Sequence, residues 1–319
     1  MSRAVVFDQY GGPEVLRILE FEAPEPEPSQ VRVQVRAAGV QPFDCLFRRG
    51  AAHSWVPAQF PQRLGNEFAG IIDAVGGEVE GLGVGDEVLG WAVLSSHADH
   101  VIAGDHDIVV KPRGMPWPEA GDIVVKPRGM PWPEAGVLSA SGQTAATALR
   151  LLGVTAGDTV LIHAAAGGVG SFAIQIALAR GARVIGTASE RNHVYLRDLG
   201  ATPVVYGDGL AARVRELAAG EVTASLDASG TVEALHASLE LVADKNRVGT
   251  VAYQPAAEQL SVRRLSTERS AKQLRDLTGL YVAGRLRVSI QHAYPLEQAA
   301  EAHRAVETGH VRGKVVVKP

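Results

Sequence analysis

Thr159–Arg180 reads TVLIHAAAGGVGSFAIQIALAR. It opens with the apolar run Val160 to Ile162, turns through small residues, and continues with Phe172, Ile176 and Ala179 at helical spacing on one face. The pattern predicts strand, turn and helix. The turn, Ala165-Ala166-Gly167-Gly168-Val169-Gly170, has the G-x-G-x-x-G form with alanine in the first position. Gly167 lets the backbone approach a pyrophosphate, Gly170 lets the helix pack close to the strand, and the helix start supplies N–H groups and a partial positive charge. Residues Ala166, Gly167, Gly168, Val169 and Gly170 are therefore expected to hold a dinucleotide. Arg183 to Ala188, RVIGTA, follows as a second strand at the separation a βαβ unit requires.

A chain of 319 residues exceeds an ordinary single domain, so two domains of different kind are expected. Apolar residues make up 46% and charged residues 21%, as in globular proteins rather than disordered or fibrous ones. A net charge of −4 gives no basis for binding nucleic acid or an anionic membrane. The start, MSRAVVFDQYGG, has no apolar core of signal-peptide length, and no apolar run is long enough to span a bilayer. The single cysteine, Cys45, excludes an internal disulfide and a four-cysteine zinc site. A cytoplasmic location is expected.

Ahead of the glycine turn, residues 4–7 and 15–21 read as strands around Gly11-Gly12-Pro13. Gln30 to Arg36, QVRVQVR, alternates strictly, so Val31, Val33 and Val35 face a core while Arg32, Gln34 and Arg36 face water. Further short strands fall within 60–75 and after the turn at Gly83 to Gly85. Their close spacing suggests a compact β-barrel ahead of the α/β half.

These pieces, in this order, resemble the medium-chain dehydrogenase/reductase superfamily in its zinc-independent quinone oxidoreductase, or zeta-crystallin-like, branch. The carriers of the resemblance are QPFDCLFRRG at 41–50, LGNEFAGIIDAVG at 64–76, AAAGGVG at 164–170, and the tail with Tyr294-Pro295-Leu296-Glu297 and GHVRGKVVV at 309–317. The resemblance implies a Rossmann doubly wound parallel sheet plus a GroES-like β-barrel substrate domain. It places the substrate domain at 1–136, the NADPH-binding domain at 137–255, and a C-terminal segment at 256–319 that partly returns to the first. It also implies a homodimer. Asn66 stands where zinc-dependent relatives carry a histidine ligand, and a carboxamide is a poor zinc ligand. Although Cys45 lies near the place of a cysteine ligand in such relatives, no metal is expected. Leu46 replaces a tyrosine found near the substrate in several quinone reductases, and Gln41 replaces the usual asparagine.

DIVVKPRGMPWPEAG occurs twice without change, at 107–121 and at 122–136. The family pattern needs one copy, as the last barrel strand and the lead into the cofactor domain. Solenoid repeats diverge and come in longer arrays, so this is a duplication rather than a repeat architecture. Either copy could fill the native position, leaving fifteen residues elsewhere.

Leu138 to Leu152 forms an apolar helix pattern. By resemblance its Thr144 faces the nicotinamide ring; a hydroxyl bonded to its own helix backbone is the plainer alternative. At the end of the second strand of the cofactor half, Ser189 and Arg191 can take a 2′-phosphate, which favours NADPH, whereas Glu190 would serve NADH if that strand ran later. Resemblance adds Tyr206, Ser229, Gly230, Val251 and Tyr253 to the cofactor lining. His163 reads as a packed strand-end histidine.

The implied reaction is hydride transfer from NADPH to a quinone, or to an alkene conjugated to a carbonyl, without metal. Hydrogen-bond donors must then meet the charge that develops on the carbonyl oxygen, and Gln41, Arg48 and Asn66 are the candidates. Arg48 can instead pair with Asp44. Alternatives are a biosynthetic enoyl or ketone reductase of the same superfamily, or a low-turnover NADPH-binding protein of the crystallin kind.

Overall fold

The computed structural model describes residues 1–104, 124–252 and 255–319. They form two compact units, one of residues 1–140, 269–282 and 288–319, the other of residues 141–268 and 283–287.

The first unit starts with β1 (Ser2–Phe7), β2 (Arg17–Phe21), β3 (Gln30–Val40), α1 (Pro42–Arg48) and β4 (Gln62–Arg63). It continues with β5 (Phe68–Val75), β6 (Glu87–Gly90), β7 (His100–Gly104), β8 (Val124–Val125) and α2 (Trp132–Ala135). Strand β2 begins later than the sequence pattern suggested, because Pro13 opens a short 3-10 turn through Val15. Along β3 the alternation holds: Val31, Val33 and Val35 are buried and Arg36 is exposed. Each of these valines contributes about 1.5–3 kcal/mol by burial. From Ala37 to Val40 every residue is buried, because both faces are covered there. Ala37 packs with Val137 and Val316, while Ala38 and Val40 join the core of Val33, Phe68, Ile72 and Val101. This doubly covered end delivers the chain to Gln41.

The second unit is built on α3 (Ser139–Leu151, whose first residues belong to the first unit), β9 (Thr159–Ile162), α4 (Gly168–Ala179) and β10 (Arg183–Thr187). Next come α5 (His193–Asp198), β11 (Thr202–Val204), α6 (Leu210–Leu217) and β12 (Ala224–Asp227). It closes with α7 (Val232–Leu241), β13 (Val248–Thr250), α8 (Ala256–Gln259) and β14 (Arg263–Arg264). Among the described residues its strands run parallel in the order β11-β10-β9-β12-β13-β14. This is the Rossmann order, and it reverses direction between β9 and β12, where such sheets bind ligands at the carboxyl ends of the strands.

The chain returns to the first unit as α9 (Ala271–Val282), β15 (Ile290–Pro295), α10 (Ala299–Glu307) and β16 (Lys314–Lys318). Among the described residues the larger sheet there has the order β15-β16-β3-β5-β6-β8, with β7 also paired to β3, beside a smaller sheet β2-β1-β4. Strand β16 pairs antiparallel with the buried end of β3, Val315 opposite Val40 and Val317 opposite Ala38. The first unit is thus the GroES-like β domain and the second the Rossmann domain.

The second copy of the duplicated segment fills the native place. Its Val124 and Val125 pair with Leu89 and Val88 of β6, and Lys126 Nζ lies 2.8 Å from a Glu87 oxygen and 4.6 Å from the centre of the Trp132 ring. The first copy, with Trp117, lies outside the described residues. Deleting either copy yields one and the same sequence, with a single DIVVKPRGMPWPEAG between His106 and Val137. That variant should fold and be slightly more stable, by on the order of 1 kcal/mol, because a shorter segment then joins β7 to β8. Thermal unfolding checks this; an insoluble product would contradict it.

Candidate active site

The Rossmann unit presents a phosphate cradle at the head of α4. Gly167 precedes the helix in an extended conformation, and no side chain caps the helix start. The first-turn N–H groups, which an α-helix leaves without internal partners, therefore face the crest of the sheet. A Cβ on Gly170 would overlap the carbonyl oxygen of Ala164 and lie 2.6 Å from Ala165 Cα, so glycine there sets the helix-to-strand distance. The backbone twist of the turn falls on Ala164, whose φ is 51°. Such left-handed geometry costs an L-residue roughly 1–2 kcal/mol. Thr187 at the end of β10 holds it: its Oγ1 accepts from Ala164 N at 3.2 Å, and its carbonyl accepts from Ala165 N at 2.9 Å.

Strand β10 ends at Thr187, one residue earlier than the sequence pattern suggested. Ala188 is buried, Ser189 half-buried, and Glu190 and Arg191 lie exposed on a short 3-10 turn. Tyr206, just past β11, is 53% exposed. Thr144 Oγ1 hydrogen-bonds Thr267 Oγ1 at 2.7 Å, so a second segment takes part in orienting it. Val251 is half-buried beyond β13, and Tyr253 lies outside the described residues.

Asp227, which the sequence reading passed over, organises this crest. It is 1% exposed at the end of β12. Its Oδ1 accepts from Ser229 N at 2.8 Å, Ser229 Oγ at 2.6 Å and Gly230 N at 3.2 Å, and its Oδ2 accepts from Thr250 Oγ1 at 2.7 Å. One buried carboxylate thereby fixes the turns after both β12 and β13, which carry Ser229, Gly230 and Val251. The signal was an aspartate closing an apolar strand two residues before a serine, an Asx-turn pattern. Nearby His163 is buried and hydrogen-bonded through Nε2 to Ser238 Oγ at 2.9 Å, and burial holds its pKa down to about 4.

The β-barrel unit gathers a second polar group at the junction of β3, α1 and the chain entering β5. Asp44 is fully buried, and burial pushes its carboxyl above the usual range. It accepts from Gln41 N and from Asn66 Nδ2, each at 2.7 Å. Gln41 Nε2 donates to Glu67, while Gln41 Oε1 accepts from Lys314 Nζ at 2.8 Å. Glu67, with no exposed surface, also accepts from Ala140 N at 2.6 Å and lies 3.3 Å from Lys314 Nζ. Of the donors expected from the sequence, Gln41 and Asn66 come together here and Arg48 does not. The Arg48 guanidinium is fully buried and paired with Glu307 of α10. The expected Arg48–Asp44 pair is absent, because Asp44 turns toward Asn66 and the backbone of Gln41.

Two family models match the sequence, the alcohol dehydrogenase GroES-like domain over 27–215 and the zinc-binding dehydrogenase over 199–317. The quinone oxidoreductase of Pseudomonas aeruginosa is 30% identical, with all of both chains covered. The structure of the Escherichia coli quinone oxidoreductase complexed with NADPH is similar at a TM-score of 0.82 and 25% identity, covering 99% of this chain and all of that one. The CurK enoyl reductase is similar at 0.84 and 25%, with 99% of each chain covered. The chain belongs to the medium-chain dehydrogenase/reductase superfamily, in its quinone oxidoreductase branch. It is an oxidoreductase by that membership.

Part of this superfamily binds zinc, and the residues present here do not suit it. Asn66 offers a carboxamide, and the Lys314 ammonium already stands beside Glu67, where it would repel a divalent ion. The Cys45 thiol is buried against His303, Sγ to Nδ1 3.5 Å, and burial pushes it well above the usual thiol range, away from the thiolate that binds metal.

The low pKa of His163 predicts a pH effect. Between about 4 and the ordinary 6.5 the unfolded chain binds a proton at this histidine and the folded chain does not, so stability falls as pH drops through that window. The full effect is about 3 kcal/mol. Buried His303, also held below its ordinary range, adds a limb of the same sign. Replacing His163 with Asn should flatten the acid limb of a urea-unfolding series without removing it.

Gly39 closes the barrel-unit group from the backbone side: a Cβ there would overlap Glu67 Oε1 and stand 3.0 Å from Gln41 Nε2. Gly39→Ala should therefore destabilise by about 1–3 kcal/mol, as overpacking does, with NADPH affinity unchanged. Calorimetry with a parallel titration of cofactor fluorescence reads both.

Proposed function

We propose that the protein is an NADPH-dependent, metal-independent reductase of quinones or of alkenes conjugated to a carbonyl. The observation that carries the cofactor assignment is the end of β10. The strand stops at Thr187, so Glu190 falls beyond the strand-end position from which a carboxylate binds the ribose hydroxyls of NADH. The Ser189 hydroxyl and exposed Arg191 occupy that neighbourhood instead and suit a 2′-phosphate.

The uncapped head of α4 would receive the pyrophosphate, and the turns fixed by Asp227 would hold the remainder of the cofactor through Ser229, Gly230 and Val251. When bound, the cofactor supplies a hydride for an electron-poor carbon. The chain's own contribution is to orient the acceptor and meet the charge that arises on its oxygen. Asn66 and Gln41 are the candidate donors: the carboxamide nitrogen of each donates to a buried carboxylate, which fixes its rotamer. The similarity to both a quinone oxidoreductase and an enoyl reductase supports the enone and enoyl acceptors alongside quinones.

NADPH and NADH oxidation would be followed with 1,4-naphthoquinone, a simple enone and an enoyl thioester. Steady NADPH turnover with at least one acceptor is expected, and its absence from all three would leave the low-turnover binding protein as the reading. Arg191→Ala should raise KM for NADPH at least tenfold with little change for NADH; equal effects on the two would refute the phosphate assignment.

A further inference from the structure

We propose that Lys314 is a positioning residue for this reaction: its buried charge fixes which end of the Gln41 carboxamide faces which way. The inference rests on the reading of Gln41 as a donor to the acceptor oxygen. A carboxamide can be turned end for end with almost no change of shape, so only its partners decide where its N–H groups point. Here two of its partners are charged. The Lys314 ammonium, having no acceptor, can bond only the oxygen, and the Glu67 carboxylate, having no donor, can bond only the nitrogen. Turning Gln41 over would set its N–H groups against an ammonium and its oxygen against a carboxylate. The two charges also need each other. Glu67 is fully buried and the Lys314 side chain 3% exposed, so removing either one takes an adjacent opposite charge from a buried ion.

The fold supplies this pair across 247 residues of sequence. The pairing of β16 with the end of β3 sets Val315 opposite Val40, so the residues just outside that pair, Lys314 and Gln41, fall side by side. A lysine at the head of an apolar strand reads in sequence as a solvated strand end, yet here the register turns it inward.

Three variants separate positioning from mere support of the fold. Lys314→Met should lower kcat/KM for 1,4-naphthoquinone at least tenfold while leaving KM for NADPH within twofold, and Lys314→Arg should recover most of the loss. The double variant Glu67→Gln with Lys314→Met removes both charges, so it should regain the melting temperature lost in Lys314→Met but not the turnover. Recovery of turnover together with stability would overturn the proposal, as would parent-like turnover in Lys314→Met. So would a double variant folded no better than Lys314→Met, since the two charges would then not be a pair. Hydrogen exchange of the Gln41 side-chain amide, followed by NMR, gives a readout independent of turnover. It should be slow in the parent and in Lys314→Arg and fast in Lys314→Met, and equal exchange in all three would overturn the proposal. If the parent turns over no acceptor, the functional reading fails while the exchange measurement still decides the positioning.

Discussion

A carboxylate taken out of water must be met by donors or a cation from within the protein, and this requirement shapes both units of the chain. Asp227 meets it with the backbone and hydroxyl groups of two crest turns, Asp44 with Gln41 and Asn66, and Glu67 with Gln41, Ala140 and Lys314. Each of these is placed at the end of a strand or the first turn of a helix, where the backbone has N–H groups to offer. The cost of leaving such a charge unmet is several kcal/mol, more than any single apolar contact nearby returns. The polar groups are consequently the most exacting part of the fold.

Asp158 shows the same logic at the opposite end of the Rossmann sheet. Arg247 bonds both its oxygens at 2.9 Å, and Thr155 N and Thr223 Oγ1 donate at 2.7 Å each. The Arg247 guanidinium holds the carboxyl well below its usual range. This group fastens the start of β9 on the side of the sheet remote from the crest. The contrast with Asp227 is instructive: similar chemistry, but only at the carboxyl ends of the strands does it leave backbone turns facing a ligand.

Periodicity made the framework legible. The alternation of QVRVQVR is the burial pattern of β3, and the strand-turn-helix reading of 159–180 matches β9 and α4 residue for residue within the usual fraying. What periodicity does not carry is the identity of side-chain partners. Arg48 and Asp44 are four apart on α1, a spacing that invites an ion pair, yet Arg48 reaches Glu307, 259 residues away, because α10 packs on that face. Lys314 and Asp227 escaped notice for the same reason: each looks like an ordinary strand end until strand register is known. The position of left-handed strain at Ala164, ahead of the glycines, was also out of reach, since composition alone puts such strain on glycine.

The two units differ in how much chain must exist before they can close. Apart from the short return at 283–287, the Rossmann unit is a continuous run of 141–268, whereas the barrel unit needs β3 and β16 together. During synthesis, therefore, the nucleotide-binding half has nearly all of its sequence while the other half still lacks β16, the strand that pairs with the buried end of β3. Glu67 spends that interval without its cation. Because Lys314 lies on β16, the Gln41–Glu67–Lys314 group is complete only once that strand has paired with β3.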